Sequence, residues 1–281
     1  MESTNGLILL IPIDFSENAD RILIAAKAMA DKSETILLIL HAYQPPVPDL
    51  TIPAGAGMIP YPADLEETFR NRLDEYVATA RAQGYLAEAI WTMGGIHPAV
   101  FEAIKEHNPD MVVLGRSGTG GFLDRLLGSS ATHIGLDANC PVLIVPPQAT
   151  PKKFREIVYA TQLEYDENDI LRRAFPLFNK LGARVSFIKI DSDAQPDVQP
   201  SQQYMDHITQ EFSITDEDFV VHKSDSVLQG IEDYCDEIKA DLLVMSTRRR
   251  GFLEAFITNP SMTKRMIVDT HIPLLVYHIK E

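Results

Sequence analysis

Met111-Val-Val-Leu114, then Gly115-Arg-Ser-Gly118, nine residues, then Gly128-Ser129-Ser130: this succession of residue types decides how the chain is read. The apolar run carries no polar alternation, as expected of a strand covered on both faces. Ser129 opens a helical stretch that extends to Asp137. Glycines placed after a strand and before a helix suit an anion. They reach positive φ without steric cost and let backbone N–H groups come close. A helix start adds unpaired N–H donors and the positive end of a dipole.

Around this segment, apolar runs alternate with amphipathic stretches, and the alternation occurs twice. Ile8 to Asn18 lines up with Val158 to Asn168, each an apolar run leading to an acidic residue, Asp14 or Glu164. Asp110 to Leu114 matches Asp241 to Met245, and Gly121-Phe-Leu-Asp124 matches Gly251-Phe-Leu-Glu254. Asp137 to Val145 matches Asp269 to Tyr277. Four matched blocks in one order indicate a tandem duplication. The join falls in the polar, proline-bearing segment 146–153, giving expected domains 1–147 and 152–281. In the first half, strands are expected near 7–13, 35–42, 86–92, 110–115 and 141–145, with helices near 17–32, 63–83, 97–107 and 129–137. Such alternation implies an α/β fold with right-handed crossovers and a doubly wound parallel sheet. The halves differ at 44–62, where six prolines and two glycines make a long loop in the first half only. Such a loop is read either as a lid or binding surface, or as a plain insertion.

The composition of the 281 residues is that of a water-soluble chain, 45% hydrophobic and 23% charged. A net charge of −15 argues against nucleic acid or an anionic membrane as partner. Cys140 and Cys235 stand outside any metal-ligand spacing and read as small buried hydrophobes of a reducing compartment. The first residues have no basic region, and Leu7 to Ile13 is too short for a signal or membrane span. A cytoplasmic location is therefore expected.

In open α/β sheets ligands sit at the carboxyl ends of strands, where the strand order reverses. Asp14 closes the first strand and the Gly115 loop closes the fourth, so both face one crevice if those strands are neighbours. A carboxylate accepts hydrogen bonds from ribose hydroxyls, while the glycines and Ser129 hold phosphates. Asp14 and Ser16 are also good helix caps, and Asp14 is open to that second reading. GxxxxGK[ST], a GxGxxG after the first strand, GxSxG and HExxH are all missing. His97 falls at a helix start and His41 at the end of the second strand; the histidines form no metal-ligand cluster.

The first half resembles the universal stress protein family, whose nucleotide-binding members carry G-2x-G-9x-G-(S/T). Here that pattern is Gly115, Gly118, Gly128 and Ser129, accompanied by Ile11-Pro-Ile-Asp14-Phe-Ser16, Leu40-His-Ala42, Gly95-Ile-His-Pro98 and Cys140 to Val145. The likeness extends over both copies, as in tandem-domain members. It implies two domains, each an open five-stranded parallel sheet of order 3-2-1-4-5 flanked by helices, related by a pseudo-twofold through their final strands as an internal pseudo-dimer. It further implies adenine and ribose near Pro12, Asp14 and Ala42. Leu114, Gly115, Arg116 and Gly118 would surround the phosphates, with Gly128, Ser129 and Ser130 on the far side. The implied ligand is ATP, with ADP, AMP and a cyclic nucleotide left open, and with Mg²⁺ as companion of the nucleotide.

The second half departs from this pattern. Gly115 becomes Ser246, Gly118 becomes Arg249, and Gly128-Ser129 becomes roughly Pro260-Ser261. Pro12 and Asp14 are matched to Gln162 and Glu164. Side chains and a proline remove backbone freedom and a donor where a cradle needs both. The second half is therefore expected not to bind ATP in the family manner. Arg248-Arg-Arg250 reads as a solvated loop, an anion site or a contact with the acidic first half. The expected function is a nucleotide-binding stress-response or signalling module with one competent site. A slow ATPase is one alternative, with Asp124 its only loop acid of note and no evident base. A nucleotide-independent scaffold built on loop 44–62 is another, and a further homodimer is left open.

Overall fold

A computed structural model describes residues 6–45, 62–116, 129–161, 167–191, 202–248 and 262–279. The first strand shows why the halves build a covered sheet. In β1 (Ile8–Pro12), Leu9, Leu10 and Ile11 are wholly buried. Leu9 and Ile11 join the core on one face, and Leu10 joins the core on the other. Successive side chains of a strand point to opposite faces, so an uninterrupted apolar run serves two cores at once.

The first half continues through α1 (Glu17–Ala28), β2 (Ile36–Tyr43), α2 (Pro62–Ala82), β3 (Leu86–Met93), α3 (Ile96–His107), β4 (Met111–Gly115), α4 (Ser129–Asp137) and β5 (Val142–Val145). The second contributes β6 (Glu156–Ala160), α5 (Asn168–Leu181), β7 (Arg184–Asp191), α6 (Gln202–Phe212), β8 (Phe219–Lys223), α7 (Val227–Ile238), β9 (Leu242–Arg248), α8 (Met262–Asp269) and β10 (Leu274–Ile279). The expected strand–helix order of the first half is observed, with ends shifted by a few residues at most, as fraying ends allow.

Among the described residues ten strands form one sheet of order β3-β2-β1-β4-β5-β10-β9-β6-β7-β8. Each half has the order 3-2-1-4-5 of its own strands, with parallel pairing inside the half. The seam is the antiparallel pair β5–β10, with Leu143 opposite Leu275 and flanked by Ile144–Leu274 and Val142–Val276. That register is symmetric about the Leu143–Leu275 pair, which places a local twofold there. Helices α1, α2, α5 and α6 supply residues to one core, and α3, α4, α7 and α8 to the other. β3 and β8 are the outer strands, and the exposed Leu86, Met93 and Val221 lie on them. Among the described residues no helix is long and apolar enough to cross a membrane.

Candidate nucleotide site

The strand order reverses between β1 and β4, where the chain leaves β1 toward β2 on one side and β4 continues to β5 on the other. Leu9 pairs with Met111 and Leu10 with Val112. Continued along both strands, this register brings Pro12 level with Leu114, so Asp14 and Gly115 emerge at the same edge. Pro12 and Leu114 are buried there, Ala42 and Gly115 are half-buried, and Asp14 is exposed.

Asp14 is shaped by a short local turn. Its Oδ1 accepts from the Ser16 backbone N–H at 3.0 Å and from Ser16 Oγ at 2.6 Å. Ser16 in turn caps α1, accepting from Asn18 N–H at 3.3 Å. Phe15 between them has φ of 58°, a left-handed conformation that an aromatic side chain adopts only under constraint. The constraint is packing: the Phe15 ring lies 4.3 Å from His41 and 5.7 Å from Phe69, between centroids. Both readings of Asp14 thus coexist. One oxygen organises the helix start, and Oδ2 has no hydrogen-bond partner among the described residues.

His41 does more than end a strand. It is buried, and its Nδ1–H donates to the Ile13 carbonyl at 2.9 Å, fixing the backbone one residue before Asp14. Burial pushes its pKa below the usual histidine range, against smaller opposing effects of the Ile13 bond and of Asp14. The sequence signal was present in Leu40-His-Ala42, but the partner carbonyl lies 28 residues away in sequence.

Gly115 is required for a different reason from the one its motif suggests. Its φ is not among the positive values. A Cβ placed there would lie 2.8 Å from Ile22 Cδ1 and 3.1 Å from Ile22 Cγ1. The Ile22 side chain of α1 occupies the space that a Cβ at this position would need. Of the other expected site residues, Ser129 begins α4, and Ser130 is half-buried in its first turn. Gly118, Gly128, Asp124, Arg249–Arg250 and loop residues 46–61 lie outside the described residues, as do Gln162, Glu164 and Pro260-Ser261. Arg116 is turned away from the crevice. Its N–H donates to Val145 O at 2.9 Å, and its Nη1 donates to Val268 O at 2.6 Å and Ile267 O at 3.2 Å in α8. His97, in the first turn of α3, is exposed and rests 4.8 Å from Phe101 and 5.7 Å from His133, between ring centroids. Among the described residues no cluster suited to a metal ion is found.

The equivalent edge of the second half carries a buried carboxylate. The strand registers correct the matching of Pro12 with Gln162 and Asp14 with Glu164 by two positions. Ile13 N–H donates to Leu40 O as Thr161 N–H donates to Ile188 O, so Ile13 corresponds to Thr161 and Pro12 to Ala160. The match was slipped because both segments are apolar runs followed by acids, with no glycine to fix the register. Gly115 and Ser246 do correspond, since Met111 and Leu242 hold like places beside β1 and β6. Over this edge lies Glu167, which precedes α5 as Ser16 precedes α1, and it is only 3% exposed. Its carboxylate accepts from Ser246 Oγ at 2.5 Å, from Tyr159 OH at 3.2 Å and from Thr161 Oγ1. Burial raises its pKa and the hydroxyl donors oppose the rise. Sequence reasoning missed this group because Glu167 is one acid among several in a polar stretch.

A doubled open α/β sheet whose strand order reverses once in each half, with an exposed Asp14 at one reversal and a buried Glu167 at the other, defines the class of protein. The family model of universal stress proteins matches residues 8–146. The chain is 31% identical over 143 residues to a Thermus aquaticus universal stress protein from the QAH/OAS sulfhydrylase 3′ region, covering 49% of this chain and 96% of that one. It is 28% identical over 145 residues to the universal stress protein YxiE of Bacillus subtilis, with 49% and 97% covered. The chain belongs to the universal stress protein family. A solved universal stress protein from Archaeoglobus fulgidus shares the fold over both halves, with a TM-score of 0.72, 22% identity and coverage of 97% and 96%.

Proposed function

We propose that the first half binds one adenine nucleotide, ATP, and that the chain is a nucleotide-binding module of stress response or signalling. In this reading domains 1–147 and 152–281 form an internal pseudo-dimer about the β5–β10 seam, in the cytoplasm. The reading is supported most by the contrast between two equivalent edges, one with an exposed Asp14 carboxylate and the other closed by Glu167. Asp14 Oδ2 would accept from the ribose hydroxyls, with the adenine against Pro12 and Ala42. Leu114, Gly115, Gly118, Gly128, Ser129 and Ser130 would flank the phosphates. The residues fit such a ligand through the exposed carboxylate and the helix start of α4, whose first N–H groups have no intrahelical acceptor. Arg116 adds no charge toward the phosphates in the described geometry. Mg²⁺ would enter with the nucleotide and supply charge neutralisation to its phosphates. ADP and AMP are accommodated by the same contacts.

Equilibrium dialysis with labelled ATP and Mg²⁺ tests this directly. One nucleotide per chain is expected, with Asp14→Ala weakening binding by about tenfold to a hundredfold, the loss of one or two hydrogen bonds to a charged group. Nucleotide at about 100-fold over its Kd should stabilise the protein by roughly 2.7 kcal/mol. No binding at millimolar ATP, or two equivalents per chain, would overturn the reading.

A further inference from the structure

Both elements that flank the proposed phosphate site are fastened to the second half. Arg116 directly follows Gly115, and its guanidinium crosses the seam to the last carbonyls of α8, at Val268 and Ile267. Placing a cation on the carbonyl end of a helix is favourable, and Asp269 at that end adds to the attraction. The second attachment is through α4. At Gly135 a Cβ would lie 2.9 Å from Ile144 Cδ1 and 3.0 Å from Ile267 Cδ1, so α4 meets β5 and α8 with no free space. The third is polar: His278 Nε2–H, on β10, donates to the Gly135 carbonyl at 2.9 Å.

Among the described residues the fastening is one-sided. The strand registers make Thr247 the counterpart of Arg116, since Ser246 corresponds to Gly115. Threonine carries no guanidinium and is too short to reach the carbonyls of α4. The first half therefore grips α8 from the base of its glycine loop, while among the described residues the second half shows no equivalent grip.

We infer that Arg116 is a positioning residue that ties occupancy of the first-half site to the order of α8 in the second half. The inference rests on the nucleotide reading above and extends it to the regulation of that site. A ligand that orders the backbone at Gly115–Arg116 restricts the point from which the guanidinium reaches α8. The last turn of α8 is then held more firmly, without any ligand in the second half. By linkage, whatever loosens α8 weakens nucleotide binding by the same factor.

Amide hydrogen exchange at 266–270 reads this out, compared without nucleotide and with ATP–Mg²⁺ at saturation for each variant's own Kd. In the wild-type chain, exchange at these amides should slow by about fivefold or more on binding, the lower end of ordinary coupling. Arg116→Met should exchange faster there without ligand and lose the ligand-dependent slowing, while the start of α4 still responds. Arg116→Lys, which keeps the charge on a shorter side chain without the planar guanidinium, should retain part of the response and carries the test if Arg116→Met fails to fold. An unchanged wild-type α8 at saturation overturns the coupling, as does a full response in both variants. Absence of ATP binding by the wild-type chain refutes the nucleotide reading itself, and the coupling with it.

Discussion

Replacing Gly115 by alanine separates packing from ligand binding at the base of the glycine loop. The added Cβ would sit 2.8 Å from Ile22 Cδ1 and 3.1 Å from Cγ1, well inside ordinary contact. Ile22 is 4% exposed and held within α1, so its side chain has little room to yield. Overpacking of this kind costs about 1–3 kcal/mol. Ile22→Val removes Cδ1, the closer of the two atoms, and alone costs about 0.5–1.5 kcal/mol. The pair should therefore be markedly less destabilised than the sum of the single variants, with an interaction energy of about 0.5–3 kcal/mol. Urea unfolding followed by the fluorescence of Trp91, the sole tryptophan, measures all four corners of the cycle. Strict additivity would refute the steric account of Gly115. If the double variant regains stability but not nucleotide binding, the position also serves the ligand through its backbone.

Two titrating groups, one in each half, should act on stability with opposite sign. His41 is held below its ordinary 6.5 in the folded chain, so the unfolded chain binds the proton more readily. Stability from this source is present above 6.5 and declines as pH falls from there through the folded value; His41→Phe should remove that slope, and an NMR titration of the ring that runs at or above 6.5 would refute it. Glu167 is raised above 4.5 by burial, so the folded chain binds the proton more readily. Its contribution is full below 4.5 and is lost as pH rises through the folded value, and Glu167→Gln should flatten that part of the profile. Glu167→Ala, which takes the common acceptor from Ser246, Thr161 and Tyr159, should cost on the order of 1–3 kcal/mol in urea unfolding. No loss would mean that the carboxylate does not organise this edge.

The duplication and the strand–helix order were readable from residue types alone, because unbroken apolar runs and amphipathic stretches encode burial locally, whereas the strand order within each half was implied by the family resemblance. Met111 to Leu114 and Ile36 to Leu40 announce covered strands before any partner is known. Asp14, at the end of such a strand, emerges at the same edge as Gly115, as the sequence led one to expect. What escaped depended on contacts between segments distant in the chain. That Gly115 answers to Ile22, that His41 holds the Ile13 carbonyl and that Arg116 reaches α8 cannot be read from any window of neighbouring residues. The two-residue slip between the halves has the same origin. Apolar periodicity places a strand but does not set its register, which cross-strand hydrogen bonds such as Thr161 to Ile188 establish. The sequence by itself determined a doubled α/β frame and set Asp14 and Gly115 at one edge of it. Only the tertiary structure decided that Glu167 closes the second edge, because a buried carboxylate is satisfied by hydroxyls that folding alone brings together.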